Sequence, residues 1–193
     1  KEQYVIADPA ERERLILEGI KKEEEKRNIH IPIDSDLLNE VRNLVEYPTV
    51  FVGPFQESYL DLPEEVLITS MKEHQRYFAV RSNNGDLLPY FAGVRNGDDY
   101  ELDTVIKGNE KVLTARLSDA VFFYEEDQKN AIPFYQEKLE RVIFQEKLGT
   151  YRDKVDRIVK ITKELISRLN IDQEIGQTAI RAAEICKFDL MTN

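Results

Sequence analysis

The chain has 193 residues, of which 41% are hydrophobic and 33% are charged, and this length can bury the core of one domain or of two small ones. No apolar run approaches the length needed to cross a bilayer, so the composition excludes a membrane-spanning protein. The net charge of -10 argues against indiscriminate binding to nucleic acids such as DNA, because Lys and Arg make the contacts to phosphate.

The start of the chain and its cysteine content bear on its cellular context. The first residue is Lys1 rather than Met, and no leader with a charged and then an apolar part follows it. We therefore expect no secretion and interpret the chain as a fragment of a longer protein. The single cysteine, Cys186, cannot form an internal disulfide and fits a reducing, cytoplasmic location. Its simplest interpretation is a small buried apolar residue.

Two helices are predicted near the start of the chain, after a short edge strand over residues 1–6. Asp8 can cap the first helix, and Pro9 suits its first position. Asp34 or Ser35 can cap the second helix, whose apolar residues recur on one side until a Tyr-Pro pair ends it. These signals predict two amphipathic helices.

The next segments predict β-strands. Residues 50–55 are rich in branched and aromatic side chains, and residues 66–71 form an apolar run typical of a strand that is buried on both faces. Residues 75–81 and 87–95 flank an Asn-Gly turn, which predicts a hairpin. Together these strands predict a small antiparallel sheet.

From residue 108 onward the pattern is helical. The segment 108–124 places Leu113 and Leu117 on one face, and Gly108 and Asn109 stand at its expected start. A second helix is predicted to begin near residue 133 and to end near residue 149. Two further helices are predicted over residues 155–169 and 172–186, with apolar residues at helical spacing.

The predicted architecture is therefore an α+β fold with two parts. Residues 1–106 form an α+β domain with the N-terminal helices and the antiparallel hairpin. Residues 107–193 form an all-helical domain, which we expect to continue beyond residue 193. The boundary is expected within the segment 99–107.

Few residues can support metal binding or catalysis. The two histidines, His30 and His74, and the lone Cys186 show no spacing typical of a zinc site, so we predict no metal. The eight glycines are scattered at turns and form no phosphate-binding loop. A nucleophile needs a positioned base, and only His74 lies in an ordered pattern, so we predict no catalytic residue.

A group of cationic and hydrogen-bonding side chains remains, and these residue types suit contacts with the phosphates and 2′-hydroxyls of RNA. The candidates are Lys72, His74, Gln75, Arg76, Arg95, Asn96, Lys107, Lys111 and Arg116. Nearby, Tyr77, Tyr90 or Phe91 could stack on unpaired bases. These residues are therefore candidates for contact with RNA.

These candidates also have structural interpretations. His74 and Gln75 can fix a hairpin, and Arg116 can pair with Glu110 or Asp119 along one helix. For Arg116 we favour the ion pair, because it borders an apolar stripe where a charge needs a partner. For Lys72, Arg76 and Arg95, neither RNA contact nor a structural role is favoured.

Several runs together resemble one known family. The run GNEKVLTARLSDAVFFYEEDQK, the earlier MKEHQRYFAV and PYFAGVRNG, and the later FQEKLGT and CKFDLMTN resemble the β subunit of the bacterial, two-subunit glycyl-tRNA synthetase. The resemblance extends in order from about Glu46 to the last residue, which makes it more specific than any single motif. The first forty-odd residues resemble the family only loosely.

The resemblance implies a subunit of a heterotetrameric, class II aminoacyl-tRNA synthetase that joins glycine to its tRNA with ATP and magnesium. In that family the α subunit carries the adenylate-forming site, while the β subunit is required for activity and binds tRNA. The chain is then an internal fragment without the C-terminal anticodon-binding region. It needs no cofactor of its own, and its expected partners are the α subunit and glycine tRNA.

The resemblance also compares the helical part with the HD phosphohydrolase fold, whose metal centre needs a His-Asp pair. Here the candidate position is Lys187-Phe188-Asp189, and no histidine follows His74, so we expect a degenerate form. We therefore expect a non-catalytic fragment that contributes to tRNA binding, to assembly with the α subunit, or to both. The alternatives are a purely structural docking domain without RNA contact and, less favoured, a remnant editing enzyme.

Overall fold

A computed structural model describes residues 4–192 of the chain. It combines helices with small antiparallel sheets, which confirms the α+β fold class. The chain folds into two compact units, Lys1–Phe122 and Phe123–Asn193, which we call unit 1 and unit 2. The domain boundary between residues 106 and 107 stays a prediction. Within residues 4–192, no helix combines the length and the apolar character required of a membrane span.

Two capped helices open unit 1. Helix α1, Pro9–Arg27, follows Asp8, whose carboxylate accepts a hydrogen bond of 2.9 Å from a backbone N–H of the first turn. Helix α2, Ser35–Leu44, follows Asp34, which accepts from two such N–H groups at 3.0 Å. Both predicted helix starts are confirmed. Of the edge strand predicted over residues 1–6, residues 4–6 form no strand, and residues 1–3 lie outside the described range.

A three-stranded antiparallel sheet follows, with the strand order β1-β3-β2. Strand β1 spans Pro48–Pro54, β2 spans Phe78–Arg81 and β3 spans Leu87–Asn96. The predicted Asn-Gly hairpin joins β2 to β3 and is confirmed. At the end of β2, Arg81 exchanges two backbone hydrogen bonds of 2.8 and 2.7 Å with His30, which lies outside the strands.

Apolar side chains of α1 and α2 pack on one face of this sheet, where Ile16, Val41 and Val52 belong to one buried cluster. Neighbouring strand residues point to opposite faces, so Phe51 lies on the other side from Val52. On that second face Phe51 pairs with Gly93 across the strands. A Cβ on Gly93 would lie 2.5 Å from the Phe51 ring, so this close approach requires glycine.

The strand predicted over residues 66–71 is wrong. These residues belong to helix α3, Glu64–Thr69, and to a π-helical turn, Ser70–His74. Leu67 and Met71 are fully buried and stand four residues apart, which is the spacing of one helix face. A short apolar run does not distinguish a buried strand from a buried helix, and packing of this face stabilises the helix.

Helix α4, Leu102–Gln128, begins six residues before the predicted start at Gly108. Asn109 does not cap the helix but lies inside it. Its side-chain N–H donates to the Val105 carbonyl at 2.7 Å, and its side-chain oxygen accepts from the Tyr77 hydroxyl at 2.5 Å. The asparagine that indicated a helix start therefore links α4 to the end of the π-helical turn.

Unit 2 contains a hairpin where a continuous helix was predicted. Helix α5, Ile132–Lys138, passes into a short 3-10 turn, and strands β4, Ile143–Gln145, and β5, Gly149–Thr150, then pair in antiparallel fashion. The prediction of an all-helical second part is wrong at this point. Gly149 has a φ of +84°, and Thr150 forms a capping box with Asp153, so these residues close the hairpin and begin the next helix.

The last two predicted helices are confirmed as α6, Tyr151–Leu169, and α7, Gln173–Ile185. Asn170 ends α6 in the left-handed conformation, with a φ of 47°. The two helices approach closely at Gly176, where a Cβ would lie 3.1 Å from the Ile166 side chain. The likeness to the HD fold stays a prediction.

Candidate nucleic-acid interface

A cavity of about 350 Å³ in unit 1 brings several predicted residues together. Its apolar lining comes from α2, β1, β3 and α4, and Leu44 at the end of α2 is 60% exposed. Its polar lining consists of Gln75, Arg76, Arg95 and Asn109. Three of the nine candidate residues therefore surround one apolar cavity.

Arg76 holds the end of the π-helical turn against α2. Its φ is +59°, in the left-handed region that costs a residue with a Cβ roughly 1–2 kcal/mol. The guanidinium donates to the carbonyl oxygens of Lys72 and Glu73 in the last helical turn. It also forms an ion pair with Glu40 of α2, with Nε and Oε1 2.5 Å apart. These contacts give Arg76 a structural role at the cavity.

Lys72 also has a partner within unit 1. Its Nζ lies 2.6 Å from Oδ2 of Asp34, the residue that caps α2. This hydrogen bond raises the pKa of Lys72 above its usual range and lowers that of Asp34. Lys72 therefore belongs to an ion pair between the π-helical turn and the start of α2.

Arg95 and Asn96, at the end of β3, bind backbone groups. Arg95 Nη1 donates to the Tyr100 carbonyl at 2.6 Å, so one part of its guanidinium is occupied. Asn96 Oδ1 accepts from the N–H groups of Glu46 and Tyr47 at 3.1 and 3.0 Å. Asn96 thus links the start of β1 to β3 through its side-chain oxygen.

His74 and Gln75 have no such contacts. His74 is exposed and Gln75 is half-buried, and neither side chain forms a hydrogen bond within residues 4–192. The interpretation that they fix a hairpin is therefore wrong. Gln75 offers a free amide to the cavity that it lines.

Lys107, Lys111 and Arg116 stand exposed on α4. The ion pair predicted between Arg116 and Glu110 or Asp119 is wrong, since none of the three cations forms an ion pair within the described residues. With Lys22 they are the lysines and arginines of residues 4–122 whose side chains lack a hydrogen bond, an ion pair or a ring contact.

The three α4 cations occupy two sides of the helix. Val105 and Asn109 line the cavity, and Arg116 follows Asn109 by seven residues, which is about two turns and places it on the cavity side. Lys107 precedes Arg116 by about two and a half turns and therefore lies on the opposite side, together with Lys111. The nine candidates consequently do not form one surface.

Two of the three aromatic residues proposed for base stacking are core residues. Tyr77 and Phe91 are 5% and 0% exposed, and their rings stack on each other with centroids 4.5 Å apart. Burial raises the pKa of Tyr77 to about 12. Neither ring is available to an unpaired base.

The charge of the chain is distributed unevenly. Residues 1–122 contain 15 Lys and Arg against 24 Asp and Glu, which gives a net charge of -9. Residues 123–193 contain 12 against 13, which gives -1. All nine candidates thus lie in the strongly acidic unit. There the net negative charge repels a nucleic acid, and a local group of cations has to overcome this repulsion.

The cavity also contains residues that sequence reasoning did not select. Leu44 is one of the apolar residues that recur on one side of α2, but it stands at the helix end and is largely exposed. Val105 and Asn109 are four residues apart and line the cavity together. That spacing would have indicated a shared face if the start of α4 had been placed at Leu102.

The arrangement offers groups for binding. Within residues 4–192, no three His, Cys, Asp or Glu side chains cluster as metal ligands would. The cavity instead combines a free amide, two arginines and an apolar lining. Such groups hold a ligand by hydrogen bonds and burial, which is typical of a binding surface.

Comparison with known proteins identifies the family of the chain. All 193 residues match the family described as the glycyl-tRNA synthetase beta subunit, and the chain belongs to that family. Its members are components of an aminoacyl-tRNA ligase. This finding confirms the resemblance that the sequence motifs indicated.

Individual relatives agree with the family. The chain is 58% identical over 193 residues to a glycine–tRNA ligase beta subunit of Oceanobacillus iheyensis, 54% over 192 residues to one of Streptococcus agalactiae and 52% over 193 residues to one of Bacillus subtilis. Each alignment covers 100% of this chain and 28% of the relative. The chain therefore spans less than a third of the length of these relatives.

Proposed function

We propose that the chain is a non-catalytic part of a glycine–tRNA ligase β subunit and that it contributes to tRNA binding through unit 1. The contact surface consists of Gln75, Arg76, Arg95 and Arg116, which we call the cavity-side surface. The whole enzyme then uses ATP and magnesium to attach glycine to its tRNA, with these steps carried out elsewhere in an assembly with the α subunit.

The observation that carries this proposal is the placement of Arg116. It is exposed, it has no ion-pair partner among the described residues, and it stands on the side of α4 that faces the cavity. Arg95 has only one guanidinium nitrogen engaged, so its remaining donors can reach a phosphate. Gln75 adds an amide that can bind a base edge or a 2′-hydroxyl.

The test is fluorescence anisotropy of labelled glycine tRNA with the chain at low and moderate salt, and with a non-cognate tRNA as a comparison. We expect binding that weakens steeply with salt, because phosphate contacts release counterions. Arg116→Ala should weaken binding and reduce the salt slope by about 1. The melting temperature of this variant should not change, since the side chain has no partner to lose within residues 4–192.

The matched control is the double variant Lys107→Ala, Lys111→Ala on the opposite side of α4. It removes more positive charge than Arg116→Ala, yet we expect a smaller loss of affinity because these lysines lie away from the cavity. An equal or larger loss in the control would contradict the cavity-side surface. Arg76→Ala is not suitable for this test, because it also removes the Glu40 ion pair.

A second candidate function is assembly with the α subunit without RNA contact. It is favoured by the net charge of -9 in residues 1–122 and by Leu44 and Val112, which are 60% and 47% exposed. Absence of tRNA binding at low salt would support this function. Co-elution with the α subunit in size-exclusion chromatography, lost in Leu44→Asp but kept in Arg116→Ala, would then establish it.

A further inference from the structure

Helix α6 carries an apolar stripe that unit 2 leaves exposed. Ile161, Leu165 and Leu169 recur every four residues along one side of the helix, and they are 59%, 51% and 64% exposed. The buried Val155 and the contact of Ile166 with Gly176 lie on a different side, where α6 meets α7. Helix α6 therefore has two apolar sides, and only the side that meets α7 is covered within the described residues.

Ile161 and Leu165 of this stripe line a groove of about 520 Å³ with a positive rim. Its lining consists of Arg157, Lys160, Ile161, Glu164, Leu165 and Arg168. The single acid, Glu164, is already paired with Arg168, with Oε1 and Nε 2.8 Å apart. The groove thus combines branched apolar side chains with an excess of two positive charges.

We propose that this groove binds an amphipathic helix with acidic flanks, and that this helix belongs to the same subunit outside residues 1–193. The apolar side of the bound helix covers Ile161, Leu165 and Leu169. Its carboxylates face Arg157, Lys160 and Arg168. The proposal concerns assembly of the subunit and is independent of the tRNA contact proposed for unit 1.

The chemistry of the groove favours a protein helix over RNA and over a second copy of the chain. Its apolar residues are aliphatic and offer no aromatic ring on which a base could stack. An antiparallel pair of α6 helices centred between Ile161 and Leu165 would bring Arg157 of one copy beside Arg168 of the other. A parallel pair would place each arginine against itself, and like charges at such a contact are repulsive.

The length of the relatives favours a helix from the same subunit. The chain covers 28% of each relative, so more than two thirds of a relative's length lies outside the match. The last helical turn, Phe188–Met191, belongs to unit 2, which also carries the groove, so a segment that follows it in the subunit is tethered to this unit. A tethered helix binds at high effective concentration, which favours it over a separate partner.

The experiment compares thiol labelling in this chain and in the full-length β subunit. Leu165→Cys is placed in both proteins, and iodoacetamide labelling is read at the peptide level by mass spectrometry, so that other cysteines do not interfere. We expect labelling at position 165 to be at least tenfold slower in the full-length subunit. Lys163→Cys, on the other side of α6, is the matched control and should be labelled within twofold of the same rate in both.

Three results would overturn the proposal. Equal labelling at position 165 in both proteins would show that nothing covers the stripe. Protection that appears only after the α subunit is added would assign the groove to a partner in trans. Protection that increases with the concentration of the 193-residue chain would assign it to a second copy.

The acidic character of the bound helix is tested separately in the full-length subunit. Arg168→Glu should restore labelling at position 165 at least fivefold towards the rate of the shorter chain, whereas Lys163→Glu should leave protection unchanged. Circular dichroism of both variants checks that α6 remains folded. Unchanged protection in folded Arg168→Glu would refute the charge complementarity, and tRNA anisotropy of the same variant should remain normal.

Discussion

Unit 1 and unit 2 bury their apolar residues to very different extents. Among residues 4–192, 21 hydrophobic residues are buried in unit 1, but only Tyr135, Leu139, Val155 and Ala183 are buried in unit 2. In unit 1 both faces of the sheet carry buried side chains, such as Val52 on one face and Phe51 on the other, so its core is enclosed. The helices α6 and α7 form one layer, so their outer apolar side chains remain exposed.

This difference shows that clear helical periodicity does not guarantee burial. Helix α6 has the most regular apolar spacing in the chain, yet Ile161, Leu165 and Leu169 face solvent. The short and irregular segment around Leu67 and Met71, by contrast, buries both of these side chains completely. Periodicity indicates which side of a helix is apolar, while the presence of another element against that side decides whether it is buried.

The largest expected effect concerns Phe91 in unit 1. Phe91→Ala removes a fully buried ring that contacts Phe51 and Tyr77, and we expect a loss of about 3–5 kcal/mol in the free energy of unfolding. Leu165→Ala in unit 2 should cost less than about 0.5 kcal/mol in the same chain. Urea denaturation followed by circular dichroism measures both, and similar losses would contradict the contrast between the units.

A smaller effect is expected from added atoms at glycine positions. Gly93→Ala forces a methyl group against the Phe51 ring, and overpacking of this kind costs about 1–3 kcal/mol. Gly108→Ala is the control, because no atom lies within 4 Å of a Cβ at this position inside α4. There we expect a gain of about 0.5–1 kcal/mol from helix propensity. A stabilising Gly93→Ala would show that the second face of the sheet has free space.

The smallest effect distinguishes two helix caps. Asp34→Ala removes both the cap of α2 and the ion pair with Lys72, and we expect a loss of about 1 kcal/mol at pH 7. Asp172→Ala in unit 2 removes a cap alone and should cost less. Thermal melting of both variants, compared with the unchanged chain, shows which of the two substitutions lowers the stability more.

The pH dependence of the first variant follows from the lowered pKa of Asp34. Because the folded pKa lies below the ordinary value of 3.8, the Asp34 contribution is present above pH 3.8 and is lost as the pH falls through the folded value. The difference in stability between the unchanged chain and Asp34→Ala should therefore shrink below pH 3.8. A difference that does not shrink at all as the pH falls well below 3.8 would show that the carboxylate charge is not responsible.

Features that depend on neighbouring residues were predictable from the sequence. Asp8, Asp34 and Asn170 lie at the ends of the helices that they indicated, because capping involves only the adjacent turn. The segment 66–71 was mistaken for a strand because its conformation depends on distant packing. Gly149 was expected to stop a helix, but its positive φ closes the β4–β5 hairpin instead.

The candidate site was less predictable, because its contacts join residues that are far apart in the chain. Arg76 pairs with Glu40 and Lys72 pairs with Asp34, which are 36 and 38 residues away. No local spacing indicates such partners. For Arg116 the opposite holds. Its neighbours along the helix, Glu110 and Asp119, suggested a local ion pair, but Arg116 forms none within the described residues.

The backbone pair between His30 and Arg81 also affects how the protein behaves at high concentration. Strands at a sheet edge expose N–H and C=O groups that can recruit a strand of another molecule and begin aggregation. β2 has only four residues, and at Arg81 both backbone groups are already bonded to His30. This pairing shortens the free edge of β2 and protects that edge of the sheet from intermolecular strand addition.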